Sequence, residues 1–297
     1  MAVFRGSAVA IVTPFRNDAD QTINYDAFAD FIDFQIDNGT DAIVVCGSTG
    51  EAATMTEREH MEVVKFCIEH TKKRVPVIAG TGSNCTKTAI ALSKEAEQDG
   101  ADALLLVAPY YNKGTQDGLY QHYKAISDAT KIPNIMYNVP SRTGCNILPE
   151  TAARIVKDCA NVAGIKEASG NISQIVKLMS LTDGNIDLYS GNDDQVVPIM
   201  SMGGLGVISV VANIAPQMMH DMCYKFFEGD VKGSAADQRK MESLFELLFC
   251  EVNPIPVKKA VDMMGFEAGT PRLPLTEMTE GNAVRLRQEM ISMGIIK

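Results

Sequence analysis

Eight short apolar runs constrain this chain more than any other feature. They are Ala8–Thr13, Ala42–Cys46, Val75–Ala79, Ala103–Ala108, Asn134–Tyr137, Val162–Lys166, Ile186–Ser190 and Val207–Val210. Most end in a polar turn or one containing Gly or Pro, and amphipathic stretches long enough for a helix separate seven of them. Runs apolar on both faces read as strands buried on both sides, which is the habit of parallel sheets. Eight such strands alternating with helices predict an α/β chain folded as a (β/α)8 TIM barrel. A doubly wound open sheet is the alternative, and eight evenly spaced units are many for it.

The helices carry their own punctuation. Asn24 is placed as an N-cap for a helix burying Phe28, Phe31 and Ile32, which Gly39 closes. Thr56 and Glu59 have capping-box spacing, and Pro149 suits a first helical turn. Asn38–Ile43 and Asp99–Leu104 look like copies of one helix-to-strand connection. After Val211 the strand signal stops, and 213–228, 233–249, 254–264 and 277–293 read as helical. The expected division is a catalytic barrel over 1–226 and a C-terminal helical region over 227–297.

Charge and cysteine usage narrow the partners. A net charge of −10 argues against a nucleic-acid backbone. No apolar run approaches the roughly 18 residues of a membrane span, and the first residues lack a signal-peptide core. The 7 cysteines are scattered without zinc or redox spacing, which suits reduced thiols in the cytosol. The 4 histidines show no metal-ligand spacing, so no metal is expected; the apolar runs and the cysteines in turn predict no membrane partner and a cytoplasmic location.

Chemistry concentrates at the predicted strand ends. The run Val162–Lys166 ends in a lysine, followed by a turn and by Asn171 opening a helix. In a parallel barrel that end of the strand is the active-site face. Desolvation disfavours the ammonium, so a buried lysine becomes a neutral nucleophile able to form a Schiff base with a keto acid. The plainer reading is a rim lysine that snorkels or pairs with Glu167. Cys46–Glu51 sets Ser48 and Thr49 between glycines, where hydroxyls and backbone N–H groups hold a carboxylate or else cap the next helix. Tyr110 and Tyr111 end the fourth strand and cannot both face inward; packing on the rim loops is the plainer fate. Tyr137 ends the strand beside that of Lys166, where a phenol can shuttle protons. Arg142 is either a carboxylate clamp or half of a surface ion pair. Gly203–Gly206 reads as a turn, and Asp193–Asp194 as helix caps.

Five motifs, taken in order, resemble the dihydrodipicolinate synthase family of class I pyruvate-dependent aldolases. They are GSTGE at Gly47–Glu51, APYYN at Ala108–Asn112, YNVPSRTG at Tyr137–Gly144, GIKEASGN at Gly164–Asn171 and GVISV at Gly206–Val210. The resemblance implies that Lys166 forms the Schiff base with pyruvate and that Ser48 and Thr49 hold its carboxylate. It implies a proton relay of Thr49, Tyr137 and Tyr111, the last from a neighbouring subunit. Arg142 would bind L-aspartate 4-semialdehyde, and Gly191 and Ile208 would line the pocket around the lysine. It further implies the first committed step of diaminopimelate and lysine biosynthesis, a homotetramer built from two tight dimers, and no metal or organic cofactor. N-Acetylneuraminate lyase and keto-deoxy sugar acid aldolases are the rivals within the family, and Arg142 tips the choice against them. A silent barrel that only binds keto acids is the rival outside it.

One departure concerns regulation. Positions matching the allosteric lysine pocket of regulated members include Ala52, Ala53, Glu57, His60, Asn84, Thr88 and Tyr110. Glu57 replaces a histidine, and Thr88 replaces the acidic partner of the ligand's ammonium. Losing that charge pair removes about 1.5–3 kcal/mol, so weak or absent lysine inhibition is expected.

Overall fold

The computed structural model describes residues 2–297. Eight parallel strands close in sequence order into a barrel: β1 Gly6–Ala10, β2 Ala42–Val45, β3 Val77–Gly80, β4 Ala103–Val107, β5 Asn134–Asn138, β6 Val162–Glu167, β7 Asp187–Ser190 and β8 Gly206–Ser209. The open-sheet alternative is set aside by the pairing of β8 with β1.

Alternation along the strands sorts the core into two layers. Ala8, Ala10, Val44, Ile78, Leu105 and Ile208 pack inside the barrel. Val9, Ile43, Val45, Leu104, Leu106 and Ile165 face outward and bury against the helices. Both faces are therefore apolar because each has its own layer to fill.

β1 begins two residues before the apolar run, at Gly6, and β8 one residue before it, at Gly206. The reason is the closing seam. A Cβ on Gly206 would stand 1.8 Å from the Gly6 carbonyl oxygen, so only glycine lets these strands meet there. Gly206 is thus strand, not turn. The paired connections are a true repeat. Asp41 accepts from the Ser7 N–H at 2.7 Å, and Asp102 from the Val77 N–H at 2.9 Å. Each aspartate ties the strand it opens to the start of a neighbour.

The helix caps fall where the residues place them. Asn24 accepts from Ala27 N–H, and Thr56 and Glu59 form a reciprocal capping box. Pro149 opens the helix Pro149–Asp158. Beyond β8 come the helices Pro216–Phe227, Val231–Lys240, Glu242–Leu248, Ile255–Met263 and Glu280–Ser292. Met241 separates two helices where the periodicity reads as one.

Candidate active site

Lys166 is the fifth residue of β6, and its register partners are Tyr137 on β5 and Tyr189 on β7. Register partners on parallel strands share a face, so lysine and phenol enter the barrel together. Lys166 Nζ lies 4.3 Å from the centroid of the Tyr137 ring. The lysine is 6% exposed. Burial pulls its amine down to about 8, opposed by the negative charge of Asp193 and reinforced by the Arg142 guanidinium. About one molecule in ten then carries the neutral amine at pH 7, against roughly one in a few thousand for an ordinary lysine. Burial pushes the Tyr137 phenol up to about 12, so it stays protonated and able to donate.

The pairing of Lys166 with Glu167 does not occur. Glu167 points to the opposite face, where it accepts from the Asn138 side-chain amide at 3.1 Å and from the Ser169 N–H at 2.7 Å. Space for the lysine comes from Gly191. A Cβ there would stand 2.7 Å from Ala168 Cβ and 3.0 Å from Lys166 Cε.

Lys258 is a second lysine drawn down to about 8 by burial. Its amine is held by Glu51 at 2.6 Å, with both side chains 1% exposed. It is absent from the wall of the cavity that Lys166 lines. Of these two lysines, Lys166 alone joins a lowered pKa to a place on the cavity wall.

That cavity has a volume of about 610 Å³, and Ser48, Thr49, Tyr137, Arg142, Lys166 and Gly191 line it. The helix after the glycine loop is capped by Thr56, which leaves the hydroxyls of Ser48 and Thr49 to the cavity. Arg142 stands exposed at the mouth and donates to the Asn253 carbonyl at 3.1 Å; among the described residues it forms no ion pair. Ile208 is fully buried inside the barrel and does not reach the cavity wall. Tyr111 is 88% exposed and takes no part in the cavity of its own chain. Neither does it pack on the rim loops.

Two site residues escape the sequence reading. Asp193 reads as a helix cap, yet it is buried. Its Oδ2 accepts from the Val210 and Val211 N–H groups at 3.1 and 3.3 Å, and among the described residues its Oδ1 has no partner. Its position just past Gly191, at the end of β7, was the available signal. Asn253 lies in the C-terminal region, where no strand end points to it; it lines the same cavity.

A second cavity of about 600 Å³ adjoins the first and shares Ser48, Tyr137 and Arg142 with it. Ala53, Glu57, His60, Thr88 and Tyr110 line it. Asn84 is not on its wall; its carbonyl accepts from the Asn112 amide at 2.9 Å. Among the described residues no three His, Cys, Asp or Glu side chains gather as a metal-binding group, and no helix is long and apolar enough to cross a membrane.

Comparison with known proteins points one way. The model of the dihydrodipicolinate synthetase family matches residues 3–292. The chain is 57% identical over 296 residues to the 4-hydroxy-tetrahydrodipicolinate synthase of Lachnoclostridium phytofermentans, covering 100% of both. The chloride-inhibited dihydrodipicolinate synthase of Acinetobacter baumannii, solved as a pyruvate complex, superposes with a TM-score of 0.94 at 44% identity over 98% of this chain and 99% of that one. A monomeric dihydrodipicolinate synthase variant superposes with a TM-score of 0.96 at 44% identity over 99% of this chain and 98% of that one.

Proposed function

The chain belongs to the dihydrodipicolinate synthetase family, and from that premise we infer that it condenses pyruvate with L-aspartate 4-semialdehyde to 4-hydroxy-tetrahydrodipicolinate through an imine on Lys166. It is a lyase of diaminopimelate and lysine biosynthesis, and its full-length relatives are named 4-hydroxy-tetrahydrodipicolinate synthase. The observation that carries the chemistry is a buried lysine of lowered pKa, facing a protonated phenol in a cavity large enough for both substrates.

The neutral amine adds to the keto carbon, and the resulting carbinolamine loses water to a protonated imine. That cation is an electron sink. The methyl group loses a proton to give an enamine, whose carbon attacks the semialdehyde carbonyl and forms the C–C bond. The aldehyde oxygen takes a proton and remains as the 4-hydroxyl. The substrate's own amine then attacks the imine carbon, releases Lys166 and closes the ring. One water leaves overall.

Ser48 and Thr49 suit the pyruvate carboxylate, and Arg142 the carboxylate of the semialdehyde. Thr49 and Tyr137 form a proton relay with Tyr111 of a neighbouring subunit. Gly191 gives room beside the lysine, while Ile208 supports the pocket from within the barrel. The arginine at the mouth also weighs against a sugar-acid substrate. A homotetramer of two tight dimers fits the exposure of Tyr111. Seven free cysteines fit the cytoplasm. The helices from about residue 227 serve the barrel as part of its active site.

The test is borohydride reduction in the presence of pyruvate, followed by peptide mapping. The expected result is an adduct on Lys166, lost in Lys166→Arg together with about a thousandfold or more of turnover. Folded protein that gives no adduct at saturating pyruvate overturns the reading and favours a silent barrel.

A further inference from the structure

Thr49 is buried at the cavity wall, and its hydroxyl oxygen accepts from the side-chain amide of Asn253 at 3.0 Å. A hydroxyl has one proton to give and two lone pairs. The NH2 group can only donate, so it occupies a lone pair and leaves the proton of Thr49 available. No bond among the described residues uses that proton. The hydroxyl's remaining capacity opens on the cavity shared with Tyr137 and Lys166.

Two further features of Asn253 bear on the site. Its backbone carbonyl accepts from Arg142 Nη2 at 3.1 Å. Among the described residues its Oδ1 is buried without a partner, and the residue is 5% exposed. Buried acceptors left unpaired are uncommon and call for an account. Here the amide is held in place through its donor side.

Building on the imine reading above, we propose that Asn253 is a positioning residue whose side-chain amide holds Thr49 as a proton donor toward Tyr137, while its carbonyl steadies Arg142 at the mouth. The amide thereby sets the direction of proton travel. When the carbinolamine breaks down, its C–O bond cleaves and Tyr137 gives its proton to the departing hydroxide, forming water and the imine. Tyr137 then recovers a proton from Thr49, which is reprotonated from the solvent side of the relay. An amide turned the other way would instead accept the Thr49 proton and stall this order.

Two variants test the donor. Asn253→Ala removes it and leaves the backbone carbonyl on Arg142. Asn253→Asp keeps the shape, but its carboxylate can only accept; protonated at lower pH, it can donate again. The expected result for Asn253→Ala is a kcat about 10–100-fold lower at every pH, with the KM for pyruvate within about threefold of wild type. Asn253→Asp shows a similar deficit at pH 8 that narrows, relative to wild type, as the pH falls. Thermal melts check that both variants fold, and both still trap pyruvate on Lys166. A kcat for Asn253→Asp within about twofold of wild type at pH 8 overturns the proposal. So does an equal deficit in both variants at every pH, which marks a structural role only. A wild-type chain that traps no pyruvate on Lys166 instead overturns the imine reading, and the inference with it.

Discussion

Lys166 and the buried Asp193 illustrate how the charges around one amine set its working pH. Imine formation needs the neutral amine, so its rate with pyruvate alone rises with pH through about 8 and levels off above. Asp193 favours the ammonium, so Asp193→Asn moves that limb to lower pH. Arg142 disfavours it, so Arg142→Leu moves the limb to higher pH. Rapid-quench borohydride trapping across pH reads both directions, and a shift of opposite sign in either variant contradicts the assigned cause. Lys166 and Tyr137 are legible in the sequence because each terminates a recognisable apolar run. Asp193 is not, because an Asp-Asp pair before a helix looks like ordinary capping until the fold brings the Val210 and Val211 N–H groups to it.

The glycine loop Gly47–Glu51 is an element set by distant chain. Glu51 sits in the left-handed region at φ 57°, where a non-glycine residue needs support from its surroundings. That support is the Lys258 ammonium at 2.6 Å and the Arg272 N–H at 3.0 Å. The Arg272 donor to Glu51 is its backbone N–H, and the cationic heads of both residues lie over the Phe15 ring, Lys258 Nζ at 3.6 Å and Arg272 Cζ at 4.4 Å from its centroid. Lys258→Met leaves a buried carboxylate without its counter-charge and destabilises the fold by about 3–5 kcal/mol. Adding Glu51→Leu restores most of that loss, since a buried ion pair contributes little beyond its own desolvation. Urea denaturation of the two variants checks the pattern; a loss below about 1 kcal/mol for Lys258→Met shows that the pair does not anchor the loop. Sequence periodicity placed the loop at a strand end, but not its clamp, because residues 51 and 258 are joined only by tertiary packing.

At the scale of the whole molecule, the proposed assembly of subunits turns on Tyr111. It is 88% exposed at φ 72°, which gives a large apolar ring no role within its own chain. Tyr111→Phe is expected to lower kcat about tenfold or more while leaving the pyruvate KM little changed. Unchanged turnover argues against a relay shared between subunits, and sedimentation velocity reads the assembly directly. The second cavity brings Glu57 and Thr88 together with His60 and Tyr110. With Thr88 standing where an acidic residue would pair the ligand's α-ammonium, half-inhibition by lysine is expected only in the millimolar range or above. Sub-millimolar half-inhibition in a rate titration contradicts this.

The barrel, and the lysine proposed as its nucleophile, were determined by the chain alone. Apolar periodicity is a local property, and strand ends in a parallel barrel converge whatever the details of packing. Tertiary structure decided which groups surround that lysine. Glu167, its neighbour in sequence, is turned away by strand alternation, while Asp193, Asn253 and Arg142 arrive from loops far apart in the chain. Tertiary structure also decided which lysine is free to react. Lys166 and Lys258 are both buried with amines drawn down to about 8, and only the fold gives one of them a counter-charge and the other a cavity.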